Sequence, residues 1–597
     1  MNRKIWKALG IVVCMLALAA PHAMAETITH MVTADTHFAD VVKNINASGV
    51  DDENVIELCA DITLTGNHTL KRSTTIKSKD EDRKISINGS NAGITVTGEK
   101  TVLNLGAKGY DKKLTIEGDG DARIQAAFVT VSEGATANMY ENVTLQNRKS
   151  TGNACIVIMG SKSVFNMRGG VTENCSRAVI ADSGATFHMF DGEIKDCKVY
   201  GNGVILVYDN SKFIMEGGTI SGCEGVLGGG LYADNSTVTI NKGTISGCTA
   251  VDNGGGLYAD NSTINISGGT ISGCKGVWGG GLYAENSSTI EISGGAISGC
   301  TVGAGGGLFV DSSTVRISGG IISGCITSDT GNGGGLYANH STIKITGGRI
   351  ENNKAAHGGG VALVGKTTFE KPITNWTVIG NEAYATGGVG GGIKLENGSM
   401  DVSAGSNRIY NNTAGGQGAD VFLYNGNTSI KLPNAANMNA TYRDSGIEID
   451  GWYNDNPPYT PSENGVGVDV SGELTGGLSL VASYKTILVR IEIDANGGVG
   501  GSGSQTVQKG KTVTLEAPTK EGHLFTGWKD EKGNSYPAGA DGKVNITVTE
   551  DMTLTAEWEK LPSAENLPKT GDESPVLLWS AVLAVSAAAG FMLKRKK

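Results

Sequence analysis

A period of about 25 residues runs through the middle of this chain and constrains its fold more than any other feature. The unit reads Gly-Gly-Thr-Ile-Ser-Gly-Cys, a short spacer, Gly-Gly-Gly-Leu-Tyr-Ala-Asp-Asn-Ser-Thr, an alternating apolar stretch, then Gly-Gly again. Aligned on the residue three after the isoleucine, it gives Cys175, Cys197, Cys223, Cys248, Cys274, Cys300 and Cys325, and then Asn353, Asn381 and Asn412. Successive members are 22, 26, 25, 26, 26, 25, 28, 28 and 31 residues apart, and Asn147 extends the column one step earlier. A chain built this way stacks like units on one another, so each unit must bury its apolar face against its neighbours.

Within each unit the apolar residues fall at i and i+2, as in Thr342-Ile343-Lys344-Ile345 and Thr263-Ile264-Asn265-Ile266. That spacing makes strands with one buried and one wet face, not helices. Three short strands per unit with glycine turns suit one turn of a parallel β-helix. The hexapeptide period of the left-handed form is missing, so the right-handed form is expected, from residue 55 to 430. Roughly 14 turns at about 4.8 Å each would make a solenoid about 70 Å long. With 90 glycines, only 11 prolines and 39% hydrophobic residues, the composition fits neither collagen nor a disordered linker.

An open solenoid end exposes unpaired strand groups and needs a lid. In residues 26–54, Phe38, Val41, Val42 and Ile45 share one helical face behind Thr36 as N-cap, which predicts an N-terminal cap. Residues 431–485, with Trp452, Tyr453 and Pro457-Pro458, break the period and are expected to close the other end or connect onward. In these repeats, and in the entry segment carrying Ile56, Ile62 and Leu64, the chain resembles the pectin-lyase-like β-helix superfamily and the Gly-Gly-rich repeats of bacterial surface adhesins. Ile491 to Gly498, Gly522 to Trp528 and Thr553 to Trp558 follow in an order similar to the Listeria-Bacteroides repeat, the B-repeat of internalin-type proteins. That resemblance implies a small β-grasp-like domain over residues 486–560, with Phe525, Trp528 and Trp558 in its core. The fold class expected is therefore all-β: a right-handed parallel β-helix solenoid, a β-grasp-like repeat domain and a C-terminal transmembrane sorting helix.

Both ends read as addresses. Arg3, Lys4 and Lys7, an apolar run from Ala8 to Ala20, and Ala23-Met24-Ala25 compose an export signal over residues 1–25, with Cys14 as filler in its apolar stretch. A linker and pentapeptide occupy residues 561–571, ending Leu567-Pro568-Lys569-Thr570-Gly571. In the tail, residues 572–597, an uncharged span over 576–593 is followed by Lys594 to Lys597. Eighteen apolar residues can cross a bilayer as a helix, with the basic cluster left on the cytoplasmic side. This three-part arrangement resembles the sorting signal of Gram-positive surface proteins. The resemblance implies that sortase attacks the Thr570 carbonyl, releases Gly571 onward, and joins the chain covalently to peptidoglycan. The expected location is thus the cell wall, reached by a precursor that spans the membrane.

Removing the leader's three basic charges and the tail's net two from a formal −11 leaves −16 for residues 26–570. So acidic a surface is a poor match for nucleic acid. Gly510-Lys511-Thr512 is no phosphate loop, because Gln505 stands where its first glycine belongs. Glu117-Gly-Asp119-Gly-Asp121-Ala-Arg123 is the best catalytic candidate, since extended chain would align three acids and an arginine; a plain turn is the alternative.

The seven cysteines allow metal ligation, disulfides or buried free thiols. The last is favoured, because cysteine packs as a small apolar residue and no Cys-x-x-Cys pair is present. A second column comprises Asp182, Asp209, Asp234, Asp260, Glu285 and Asp311, ending at Asn339. With Leu231 and Ala233 inward, alternation sends Tyr232, Tyr258, Tyr283, Phe309 and Tyr337 outward beside these acids. The acids either start Asx-type turns or, with the rings, offer a calcium-assisted or sugar-stacking surface. No cofactor other than calcium is expected. The functional expectation is an anchored adhesin or surface-interaction protein with a glycan or protein ligand. Rival classes are an exported polysaccharide-degrading enzyme, lyase or glycosidase, and a passive stalk.

Overall fold

A computed structural model describes residues 27–34, 37–48, 53–118, 126–149, 154–405, 407–424, 427–435, 447–454, 468, 470–475 and 478–561. The export signal, Thr36, the stretch from Asp119 to Arg123, Pro457-Pro458, the pentapeptide and the apolar tail lie outside these residues. Among the described residues no helix is long and apolar enough to cross a membrane. The chain divides into two compact units, the first reaching to Tyr484 and the second holding the residues from Lys485 onward.

The first unit is the solenoid, of about fifteen turns. Each central turn carries three strands, for example Leu231–Asp234, Thr237–Ile240 and Thr244–Ser246, and a two-residue fourth, Thr249–Ala250. The first three pair in parallel and in register with the same strands of the next turn, Leu231 with Leu257, Val238 with Ile264, Ile245 with Ile271, and the fourth pairs with Glu224–Gly225 of the turn before. Inward positions on all faces are fully buried, so the core is a set of columns: Leu231, Leu257, Leu282, Leu308 and Leu336 form one, and Ile245, Ile271, Ile297, Ile322 and Ile350 another. Parallel register of identical side chains makes every turn bury what its neighbour exposes.

The Gly-Gly pair sets the corner between the second and third faces. A Cβ on Gly268 would lie 2.2 Å from the Asn241 carbonyl oxygen, and Gly269 has φ +72°. One glycine is required by the backbone of the turn below and the other by a left-handed conformation. A further left-handed position precedes the cysteine column. There Asn147, Asn174, Asp196, Gly222, Gly247 and Gly273 all have φ between +52° and +61°, so only glycine, asparagine and aspartate fill it.

That position corrects the expected start of the column. Gln146 pairs with Glu173, which puts Asn147 beside Asn174 and makes Arg148 the residue in register with Cys175. Asn174 donates to the Asn147 side chain at 2.6 Å, while Arg148 is buried and donates through Nη2 to the Ala126 carbonyl at 3.0 Å. From Cys175 to Cys325 all seven cysteines are buried, and none is bonded to another member of the column. Cys248, Cys274, Cys300 and Cys325 fit beneath the third glycine of the Gly-Gly-Gly corner, where a Cβ on Gly256 would stand 3.3 Å from the Cys274 sulfur.

Beyond Cys325 the column becomes a hydrogen-bonded ladder of amides. Asn353 Oδ1 accepts from the Cys325 N–H at 2.9 Å, Asn381 Oδ1 from the Asn353 N–H at 3.0 Å, and Asn412 Oδ1 from the Asn381 N–H at 2.9 Å. Asp420 completes it, accepting from the Asn412 N–H and, through Oδ2, from the Ala482 N–H at 2.7 Å. The strand Ser479–Thr486 runs antiparallel to Val421–Leu423 and ends the parallel stack. Trp452 is buried near this end and donates to the Pro433 carbonyl.

At the other end the helix Phe38–Ala47 buries Phe38, Val41, Val42 and Ile45, the face read from the sequence. Its N-cap is His37, without a side-chain cap bond, and not Thr36. Asn46 holds the helix to the solenoid, donating to the Thr69 carbonyl at 2.7 Å and accepting from the Lys71 N–H at 2.9 Å. Polar groups on the first strand edge are thereby satisfied.

The second unit contains a mixed five-stranded sheet in the order 503–508, 488–494, 552–560, 523–530, 535–537. A two-stranded ribbon, Lys511–Leu515 with Val544–Val548, supplies Leu515, Val544, Ile546 and Val548 to the same core as Ile491, Trp528 and Leu554. No helix occurs within residues 478–561, and the sheet and the ribbon together enclose the core. Trp528 is fully buried. Phe525 and Trp558 are half-buried at the margin, edge-on to each other at 5.7 Å.

Candidate functional surface

The expected aromatic stripe exists as a continuous stack. Tyr232, Tyr258, Tyr283, Phe309 and Tyr337 lie in register, with successive ring centroids 5.2, 5.0, 5.0 and 4.5 Å apart and planes within 21° of parallel. Alternation does send these rings off the core side of the strand, yet Tyr232 to Phe309 are only 4–8% exposed. Their faces are taken by one another, so the sugar-stacking surface expected from the sequence is not open. The spacer loops between the cysteine and Gly-Gly-Gly lie over them: Leu227 and Ala304 pack on the stack, and Trp278 stacks on Phe309 at 5.6 Å.

The acidic column also needs a correction. Ala181 pairs with Val207, which brings Asp182 beside Tyr208, and Tyr208 pairs in turn with Asp234. Asp209 is one residue out of register. The aligned column is Asp182, Tyr208, Asp234, Asp260, Glu285, Asp311 and Asn339. Its lone pairs are largely spoken for. Asn286 donates to Asp260 at 2.8 Å, Asn339 to Asp311 at 2.9 Å, Ser183 to Asp182 at 3.0 Å, and both Tyr258 and Tyr283 hydroxyls to Glu285. The turn role is written in the backbone: Ser183, Asn235, Asn261, Asn286, Ser312 and His340, each following the column, are left-handed. Burial, together with the charges of Asp260 and Asp209, raises the Asp234 carboxyl. Among the described residues no group of three His, Cys, Asp or Glu is placed to hold a metal ion.

The stack's hydroxyls are correspondingly hard to ionise. Burial and the charges of Asp234, Asp260 and Glu285 push the Tyr232 phenol up to about 12. Burial and the bond to Glu285 drive Tyr258 higher still. A phenol raised above its unfolded value of about 10 stabilises the fold below that pH and loses the contribution as pH climbs through the folded value. Absorbance titration at 295 nm should therefore show these tyrosines silent at pH 11, with ionisation arriving together with unfolding near pH 12. A set of simple transitions near pH 10 accounting for every tyrosine would contradict the buried stack.

The loop ridge above the stack is exposed in part, at Trp278, while Asn253 is buried. Asn202, Leu227, Asn253, Trp278, Ala304, Asn332 and His357 occupy equivalent places, joined turn to turn by backbone bonds such as Gly254 N–H to Trp278 C=O and Gly279 N–H to Ala304 C=O. Trp278 is 44% exposed, Val277 44% and Val251 65%, on neighbouring turns. Sequence reasoning passed over these residues because the spacer carries no alternation. The signal that was available is compositional: a tryptophan and two valines in a spacer otherwise small or polar.

On the second face, an open groove of about 390 Å³ runs along Asn265, Glu291, Arg316 and Lys344. Its charges are internally matched, with Arg316 at 3.7 Å from Glu291 and Lys344 at 3.3 Å from Glu370. Of the catalytic candidate only Glu117 and Gly118 are described. Glu117 accepts from Gln146 at 2.9 Å and pairs with Lys84 at 3.0 Å. Burial opposes its ionisation, but Gln146 and Lys84 outweigh that and lower its carboxyl, the opposite of what a general acid needs.

Comparison with known proteins agrees with this two-part build. The family model described as right handed beta helix region matches residues 219–381. The model described as divergent InlB B-repeat domain matches residues 487–562. No curated protein and no solved structure matches the chain. Together the two modules suggest an extracellular surface protein.

Proposed function

We propose that this chain is a surface protein joined to the Gram-positive cell wall, acting as an adhesin or surface-interaction protein through its solenoid. The observation that carries the reading is the order of parts: an export-type leader, a solenoid with a variable exposed ridge, a B-repeat module, and then Leu567-Pro568-Lys569-Thr570-Gly571 with its apolar and basic tail. Sortase and peptidoglycan are the partners this order implies, and the ligand is a glycan or a protein of the surroundings. A solenoid suits the task because its backbone is fixed by buried columns while outward side chains vary from turn to turn. The uniform repeats from residue 217 to 350 bring no cluster of unlike catalytic groups together, which favours display over hydrolysis.

Mass spectrometry of wall digests from the native host tests the anchoring. The C-terminal peptide should end at Thr570, amide-linked to a wall peptide. Recovery of Lys594 to Lys597 in the mature surface protein would overturn it. For the ridge, binding of immobilised host glycans and proteins should fall at least tenfold in Trp278→Ala with Val277→Ser if that surface makes the contact.

A further inference from the structure

One cysteine of the solenoid stands off the column and touches it. Cys155 opens the strand Ile156–Met159, and its sulfur lies 2.8 Å from that of Cys175, the first cysteine of the column. Both are buried. Register explains the meeting. Ile156 pairs with Val179, Val179 with Ile205, and Ile205 with Leu231, so Cys155 occupies the place held by Ala178, Val204, Gly230 and Gly256 in later turns.

That place looks directly at the thiol column. A Cβ built on Gly230 would stand 3.3 Å from the Cys248 sulfur, on Gly281 3.5 Å from Cys300, and on Gly307 3.4 Å from Cys325. Where the chain carries a real side chain ending in sulfur at this point, the next thiol is within bonding reach. All seven column thiols, Cys175 included, contact the carbonyl two residues before, at 3.2–3.5 Å; what sets Cys175 apart is the second sulfur, that of Cys155, at 2.8 Å from the facing strand.

We infer that Cys155 and Cys175 form a disulfide in the folded protein, closing the first cysteine-bearing turn, while the other six column cysteines stay reduced. The oxidant is a small disulfide met during folding, before the turn closes. Cys175 thiolate attacks one of its sulfurs and expels one thiolate. Cys155, losing its proton to solvent, then attacks the Cys175 sulfur of the mixed disulfide and expels the second. Two protein thiols are oxidised and one small disulfide is reduced to two thiols.

The full chain, refolded in a buffer of reduced and oxidised glutathione, provides a test that does not depend on wall anchoring. After alkylation in denaturant and proteolysis without reductant, two of the nine cysteines from Cys59 to Cys325 should escape alkylation. They should appear as one crosslinked peptide, Cys155 to Cys175, two hydrogens lighter than its parts. In native buffer the bond should resist reductant that cleaves it within minutes in urea. In Cys155→Ala all eight remaining cysteines should alkylate. Nine alkylated cysteines in the parent chain, or a crosslink joining two column members such as Cys175 and Cys197, would overturn the inference.

Discussion

Asn381→Ala should destabilise the C-terminal turns of the solenoid by about 4 kcal/mol, since several buried groups would each lose a partner worth about 1–3 kcal/mol. The Asn381 amide sits at the middle of the ladder. Its oxygen accepts from both the backbone and the side-chain nitrogen of Asn353, and its nitrogen donates to Ile350 C=O, Ile379 C=O and Asn412 Oδ1. Truncation strands the Asn353 N–H in a fully buried position. Cys274→Ala, in the same column, should cost only about 1 kcal/mol, because a thiol's hydrogen bonds are weak and its loss removes one small group. Unfolding of repeat arrays is not all-or-none, so backbone hydrogen exchange over residues 350–423 is the proper readout beside the urea midpoint. Equal protection in Asn381→Ala and the parent chain would mean that the ladder contributes nothing.

A comparable loss, about 3 kcal/mol, is expected for Gly268→Ala from steric overlap in a close-packed corner. The added methyl would meet the Asn241 carbonyl oxygen at 2.2 Å, and that oxygen belongs to the backbone of the turn below. Relief requires separating two turns that share every strand pairing on three faces. Gly247→Asn is the matched control. Gly247, unlike Gly268, has positive φ, +59°, yet a Cβ there meets nothing within 4 Å, and Asn174 already holds the equivalent place in an earlier turn. Its cost should stay below about 1 kcal/mol. If thermal melts rank the two substitutions the other way, conformational freedom outweighs close approach at these corners.

The contrast between these glycines marks what was legible in the sequence. Period and alternation give the columns, so Cys175 to Cys325, the switch to Asn353, and the buried helix face of Phe38 and Ile45 could all be read before any coordinates. Register within an irregular turn could not. Asn147 resembles a column residue, but the left-handed turn position claims it and Arg148 takes the core place. Asp209 likewise falls one step beyond Tyr208, the residue that pairs with Asp234. The tyrosine stack shows a second limit. Alternation decides which side of a strand a ring leaves from, and Tyr258 does leave the core side. It is silent on what lies above, and here a spacer loop carrying Leu227, Trp278 and Ala304 fills that space. The disagreement at the candidate surface therefore comes from long-range covering and not from a misjudged strand.

The direction of the backbone hydrogen bonds has a mechanical meaning. Strands lie across the solenoid, so their inter-turn bonds point along its axis, as between Leu231 N–H and Gly256 C=O. Tension along that axis would peel one turn at a time, loading a few bonds in succession, and shear across many bonds at once would not arise. Resistance then depends on the turn next to the point of pull. At the C-terminal end that turn is held by an amide at every step from Asn353 to Asn412, and Asp420 ties the last of them to the antiparallel strand at Ala482. The thiol column has only weak counterparts, sulfurs reaching a carbonyl of the turn below at 3.9–4.0 Å. Pulled from its C-terminal side, this solenoid has its strongest stitches where a tear would begin.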